Sequence, residues 1–309
     1  MPLYIRHLPG ACSRLIETSS LPKNAVCFNP SRSGPYIYIR MTMHDAVCET
    51  NHILIYNTET SKLHQVAYDM SMLAPTVNLF QGLEDLRICV FEGRLWFTAT
   101  TTHASAAMNN EMVLGRICAD LSAVECIQVL DFGVRPIKNI CPFVKGLNGV
   151  KTLHLLDLYK STIYCVREEE GSVQPSWHME RVQNLEWHAD AGGASCPDLG
   201  NATYRGSTSP IHLHGNIWGC IGHDIIFNDN TKLVTRLSYL HHWIEMDLGR
   251  ERGAVTFVSS PFWVAHWGVE YVSGLHADAD GSKITLYLGV NDKDAASCDT
   301  TLADLRCGK

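Results

Sequence analysis

An all-β protein is predicted, on two observations. Short runs rich in Val, Ile, Tyr, Thr and Trp recur between Gly, Asn, Asp and Pro punctuation, and apolar residues do not repeat at helical spacing. Strand–turn pairs are spread at roughly even spacing over the 309 residues, which points to a propeller or a large sandwich. No strict repeat of the tryptophan–aspartate kind is present, so periodicity alone leaves the number of blades open.

Composition narrows the function classes. With 46% apolar and 18% charged residues the chain can bury a core and carries too little charge for disorder. The net charge of -7, with Lys and Arg scattered and never in a run, argues against a nucleic-acid partner and for a neutral polar or small anionic substrate. No apolar stretch at the amino terminus or later approaches a membrane span, so the expectation is a soluble, cytoplasmic protein without a cleaved signal. The twelve cysteines include no CxxC pair and several sit inside apolar strands, which reads as buried thiols in a reducing compartment.

In chain order, the first unit is Phe28-Asn29-Pro30-Ser31 followed by Tyr36 to Arg40, with His52 to Thr58 as partner strand. Alternation places Tyr36, Tyr38 and Arg40 on one face. On the residues alone, Asn29 is as readily a turn asparagine, and Arg40 a solvated strand arginine, as either is a substrate contact. The most informative stretch is Gly82 to Thr98, GLEDLRICVFEGRLWFT. A carboxylate pair and an arginine precede an apolar strand, Glu92-Gly93 makes a tight turn, and Arg94 to Thr98 runs back antiparallel. At the start of an inner strand of a radial β-structure, Asp85 and Arg87 would point into a central cavity.

Met112 to Asp120 completes the second unit beyond the polar loop Thr100 to Asn110, a lid or a plain connection. The third runs from Ile137-Lys138-Asn139-Ile140-Cys141-Pro142-Phe143 through strands at Thr152 to Leu158 and Ser161 to Arg167. Glu168 to Gly200 has no readable period and is taken as the rest of a unit plus a long loop. The fourth carries Tyr204-Arg205-Gly206-Ser207-Thr208-Ser209-Pro210, then Asn216 to Asp224, then Tyr239 to Asp247. His212 and His214 share a strand face, but two histidines without a third ligand do not make a metal site. The fifth comprises Ser260-Pro261-Phe262-Trp263, Gly268 to Leu275 and Lys283 to Ala295. A strand from Pro2 to Ile16 is expected to complete it, because pairing the first and last segments covers two free edges.

Taken together, FNPS, EDLR, IKNICPF, YRGSTSP, YLHHWIEMD, SPFW, GVEYVSGL and YLGVNDKDA resemble, in order and over about residues 28–295, the motifs of a superfamily of five-bladed β-propeller carbohydrate enzymes. The similarity is to the β-mannoside phosphorylases of glycoside hydrolase family 130 and related mannosyltransferases. Leu86 stands where that family commonly has proline, and Ile137 where it commonly has glutamate.

The resemblance implies one five-bladed propeller domain over 1–309 that makes or breaks a glycosidic bond, by transfer from an activated sugar or by phosphorolysis. It implies a sugar or oligosaccharide substrate with phosphate or an activated sugar, and neither a cofactor nor a metal. Asp85 carries over as the catalytic proton donor, Asn29, Arg40, Glu270 and Asp292 as sugar contacts, and Arg87, Lys138, Arg205 and His223 as the anion cradle. Two alternatives stay open: a propeller glycoside hydrolase using Asp85 with Glu270, and a non-catalytic glycan-binding propeller.

Overall fold

The structure, a computed structural model, describes residues 6–8, 10, 12–17, 21–45, 48–69, 71, 80–102, 110–132, 138–147, 149–169, 176–187, 204–227, 237–249, 251–265 and 269–307. Among these residues it is all-β apart from one short helix. The expected roles of loop residues 103–109, of Ile137 and of 188–203 fall outside the described residues.

Among the described residues the strands form five successive antiparallel runs. The first holds β3 (Ala25–Ser33), β4 (Tyr36–His44), β5 (Glu49–Asn57) and β6 (Lys62–Val66), preceded in the chain by β1 (Arg6–His7) and β2 (Cys12–Arg14). After β7 (Phe80–Gln81), which pairs in parallel with β5, come β8 (Glu84–Phe91), β9 (Arg94–Thr101), β10 (Glu111–Ile117) and β11 (Val124–Val129). The third run is β12 (Cys141–Leu147), β13 (Val150–Asp157), β14 (Thr162–Glu168) and β15 (Trp177–Trp187). The short β16 (Arg205–Gly206) and β17 (Ile211–His214) both pair with β18 (Ile217–Phe227), which leads to β19 (Leu237–Asp247) and β20 (Gly253–Val258). A parallel pairing of β15 with β20 joins the third and fourth runs into one sheet. After β21 (Phe262–Trp263), the last run is β22 (Glu270–Ala277), β23 (Ile284–Val290) and β24 (Asp294–Thr300).

Local chemistry sets these elements. The β8–β9 hairpin turns at Glu92 and Gly93, both at positive φ, which is the turn whose twist matches its strands. The middle strands are buried on both faces, as in β4, where Ile37 to Thr42 are all buried. Their side chains build apolar clusters between neighbouring runs; Tyr38, Ile53 and Ile55 of the first pack with Leu86, Ile88 and Phe97 of the second.

The leading strands are bulged where they approach one another. The register slips between Phe28 and Ser31, between Glu84 and Arg87, and between Val272 and Gly274. A bulge frees backbone carbonyls and re-aims side chains. Neighbouring runs take up those carbonyls, because Ser273 Oγ donates to Pro30 O and Ser31 Oγ donates to Leu86 O, each at 2.8 Å. These bonds stitch β22 to β3 and β3 to β8. Strand β12 lies against β8, and β18 against β22.

The amino-terminal segment joins the last run as expected, but through two short strands and not one continuous strand. Strand β2 pairs antiparallel with β24 at the edge of the last run, and β1 pairs in parallel with β21. The helix α1 (Leu302–Arg306), capped by Thr301, was not legible in the sequence. Its Arg306 forks onto Glu245 of β19 at 2.5 and 2.9 Å, and Arg6 donates to the carbonyls of Asp304 and Leu305.

Candidate functional site

Asp85 sits inside the β8 bulge with φ of +54°, and Asn29 inside the β3 bulge with φ of +47°. Both backbones occupy the left-handed region, which Asn and Asp tolerate better than other side chains with a Cβ. The two residues are thereby turned toward each other. Asn29 Nδ2 donates to Asp85 Oδ1 at 2.8 Å, and Arg40 of β4 donates to the same oxygen at 3.0 Å.

Arg40 is itself fixed from several sides. Its Nε donates to Asn51 Oδ1 at 2.8 Å, an oxygen also held by the Thr42 hydroxyl, and its guanidinium lies 4.8 Å from the centre of the Phe28 ring. Its remaining reach is toward Glu84 Oε2, at 3.7 Å. One guanidinium therefore serves two neighbouring carboxylates.

Those carboxylates are pushed apart in acidity. Burial alone would raise the Asp85 pKa, but the Arg40 and Arg87 charges and the hydrogen bonds from Asn29 and Arg40 outweigh it and hold the group below the ordinary carboxylate value. For Glu84 burial prevails, with Asp85 and Glu49 adding to it against Arg40 and Lys138, and its pKa is raised. Asp85 is the ionised member and Glu84 takes a proton more readily. A split of this kind between adjacent carboxyl groups separates the roles they can take in proton transfer.

Beneath Asp85 lies a second, drier layer. Arg87 is 1% exposed and all its nitrogens donate: Nε to Ser207 O at 2.5 Å, one terminal nitrogen to the Asp85 carbonyl at 2.6 Å and the other to the Tyr271 hydroxyl at 2.6 Å. The Tyr271 hydroxyl in turn donates to Asn139 Oδ1 at 3.1 Å. Asn139, just before β12, also has positive φ. His223 of β18 is equally buried, with Nδ1 2.7 Å from Ser207 Oγ and its ring edge-on to those of Tyr239 and Tyr271. Burial first, then His241 and the nearby Arg205 and Arg87 charges, hold its pKa well below the usual histidine value, so His223 is neutral.

Asn29, Arg40, Asp85, Arg87 and His223, expected from sequence, thus lie in one hydrogen-bonded and electrostatically linked assembly drawn from the first, second and fourth runs. Arg205 joins its rim: it is exposed and opposite His223 in the β16–β18 ladder. Lys138 is also exposed, and near enough for its charge to act on Glu84. Asp292, in the turn between β23 and β24, keeps solvent contact but is partly desolvated; that effect, and then the charge of Asp85, raise its pKa. Tyr239 feels Asp292, Asp85 and Arg205 together, which places it among the rim groups.

Glu270 is placed differently. It is 1% exposed at the start of β22, and its two oxygens accept from the backbone amides of Val264 and Ala265 at 2.5 and 2.6 Å. It fixes the path of the chain after β21 and does not face Asp85 as an open carboxylate. All three Arg87 nitrogens, and Nδ1 of His223, are likewise engaged inside the protein.

In the sequence reading Glu84 and Asn139 belong to their motifs without a site role, and Asn51, Tyr271 and Tyr239 are not singled out. Glu84 had a signal, its adjacency to Asp85 at the mouth of the hairpin. The others depend on which strands meet, and no local pattern encodes that.

No family model matches the chain, and no curated protein matches it. Solved structures do share its fold. One, from work on the GH130 family of mannoside phosphorylases, a family containing glycoside hydrolases that target β-1,2 mannosidic linkages in Candida mannan, superposes with a TM-score of 0.56 at 11% identity, covering 97% of this chain and 96% of the other. A glycosyl hydrolase from Bacteroides ovatus gives a TM-score of 0.52 at 10% identity, covering 90% and 84%. At such identities the likeness is one of fold, and it extends over nearly the whole chain.

Proposed function

We propose that the chain is a single-domain, five-bladed β-propeller enzyme that makes or breaks a glycosidic bond, with Asp85 handling the proton of the leaving oxygen. The observation that carries this reading is the convergence of Asn29 and Arg40 on one oxygen of Asp85, from a separate run of strands, with Glu84 sharing the same arginine. A half-buried carboxylate held in one orientation by a buried arginine is costly to desolvate and is expected where geometry matters for chemistry.

In this reading Asp85 acts on a glycosidic oxygen or on a sugar hydroxyl placed beside it, and the developing oxocarbenium-like charge is met from the opposite face by an anionic nucleophile. Asp85 is ionised in the free protein, so it must gain a proton on binding. A sugar hydroxyl inserted between Asp85 and its two donors, together with an incoming phosphate charge, pushes its pKa in that direction. Asp292 and Arg40 are proposed to contact sugar hydroxyls with Asn29.

The anion is assigned to Arg205 and Lys138, the exposed cations of the rim. Arg87 and His223 are proposed to position the site from below through Asp85 and Ser207, and Glu270 to position the backbone before β22. A hydrolase working through Asp85 and Glu270 is disfavoured, because Glu270 is 1% exposed and its oxygens are bound to two backbone amides away from Asp85. The structural neighbours named above favour a mannoside as substrate.

The test is to incubate the purified chain with β-mannosides, mannose 1-phosphate and guanosine diphosphate mannose, with and without inorganic phosphate. Phosphate-dependent formation of mannose 1-phosphate, or transfer from either activated sugar, supports the proposal. Release of free sugar without phosphate moves the assignment to hydrolysis, and binding without turnover moves it to a glycan-binding propeller.

A further inference from the structure

The first and last strands of the chain meet at two cysteines. Cys12 of β2 is the register partner of Cys298 of β24. In the same ladder the Leu15 amide donates to Ala295 O at 2.9 Å, one step beyond the Arg14–Ala296 pair. Hydrogen-bonded and non-hydrogen-bonded pairs alternate along an antiparallel ladder, so Cys12 and Cys298 form a non-hydrogen-bonded pair. Opposite residues in such a pair stand about 4.5 Å apart at Cα with their side chains close. That lies inside the span of about 4.4–6.8 Å that a disulfide bridges.

The two thiols, paired in register, are unlike. Cys12 is exposed and Cys298 is buried. The Cys298 thiol donates to Asp299 O at 3.7 Å; the proximity of the two thiols lowers the pKa of Cys12, and that of Cys298 is raised by Cys12 and by burial. Gly10 closes the pocket from the other side: a Cβ there would lie 2.7 Å from Cys298 Sγ, and its φ of +147° suits glycine. Cys12 thus has the exposure and thiolate character of an attacking thiol, and Cys298 the position of a resolving one.

We propose that Cys12 and Cys298 form a thiol–disulfide site that reacts with a low-molecular-weight disulfide and closes into an intramolecular bridge between the first and last strand pair. The Cys12 thiolate attacks one sulfur of the small disulfide, breaking its S–S bond and releasing one small thiolate. Cys298 then gives up its proton and attacks Cys12 Sγ, expelling the second small thiolate. The protein loses two electrons and two thiol hydrogens, and the small disulfide is reduced to two thiols. The bridge ties β2 to β24 covalently, at the edge where the chain ends meet.

The experiment treats the folded protein with glutathione disulfide, unfolds it in an alkylating reagent and maps the cysteines by mass spectrometry. Wild type is expected to give a Cys12–Cys298 cross-linked peptide with glutathione on neither residue. Cys298→Ala should leave a stable glutathione adduct on Cys12, and Cys12→Ser, altered at an exposed position, should leave Cys298 as a free thiol. The urea midpoint should rise on oxidation of wild type and stay unchanged in Cys12→Ser. A persistent adduct on Cys12 with Cys298 alkylated in wild type would overturn the proposal. So would two free thiols under conditions in which the exposed Cys307 is modified.

Discussion

The side-chain amide of Asn29 reaches from the first run of strands to the second and donates to Oδ1 of Asp85 at 2.8 Å. The two residues are 56 apart in sequence, and each sits in a bulge with positive φ. This contact links the backbone geometry of both strands to the state of one carboxylate. Replacing Asn29 with Ala removes a hydrogen bond to a charged group, worth about 1.5–3 kcal/mol, and puts a less tolerant residue at positive φ. The variant should unfold at lower urea, and the Asp85 pKa should rise, read from the pH dependence of its carboxyl carbon resonance.

Gly289 of β23 guards the same contact from the side. A Cβ at this position would lie 2.1 Å from Asn29 Oδ1 and 2.9 Å from its backbone nitrogen. Gly289→Ala should therefore displace Asn29 and lower sugar turnover, with a stability loss of about 1–3 kcal/mol from overpacking. Combined with Asn29→Ala the effects should be less than additive, since both act through one hydrogen bond. Additive losses in a double-mutant cycle would show that Gly289 acts elsewhere.

Arg40 balances two carboxylates while 8% exposed. Arg40→Ala leaves both without their shared cation and should cost about 3–5 kcal/mol of stability in urea unfolding. Arg40→Lys should recover only part of this, because an ammonium cannot hold Asn51 and Asp85 at once with a planar fork.

Three buried histidines set the acid limit of the fold. Burial first lowers the pKa of His241 from 6.5 to about 3 and of His154 to about 4, and brings His223 well below its usual value. The unfolded chain takes up these protons first as pH falls, so the stabilising contribution is complete above pH 6.5 and is lost below it. Each histidine contributes a slope of about 1.4 kcal/mol per pH unit. Urea midpoints should fall steadily from pH 7 to pH 5. A flat profile over that window would mean that these rings are charged, or exposed, in the folded protein.

Much of the architecture was legible because its signals are local. The Glu92-Gly93 turn, the β8–β9 hairpin and the pairing of the amino-terminal segment with the last run follow from turn chemistry, alternation and the need to cover edges. Asp85 and Arg87 stood out as charges at a strand start, but what each touches did not. Arg87 looks like an anion ligand in sequence, yet its donors are spent on Ser207, Asp85 and Tyr271, 120 and 184 residues away for the first and last. Glu270 resembles any strand carboxylate, and its partners are backbone amides, which have no residue signature. The shared use of Arg40 by Glu84 and Asp85 depends on how two runs of strands meet, which only the folded chain displays.

The most direct test of the central claim is the sugar turnover of Asp85→Asn, measured beside wild type on the substrate that wild type accepts. The amide keeps the size of the carboxyl and its place beside Asn29 and Arg40 but cannot carry the proton, so turnover should drop by about 10²–10⁴ while the circular dichroism spectrum is retained. Turnover in a folded Asp85→Asn protein equal to that of wild type would contradict the claim that Asp85 handles the proton of the glycosidic oxygen.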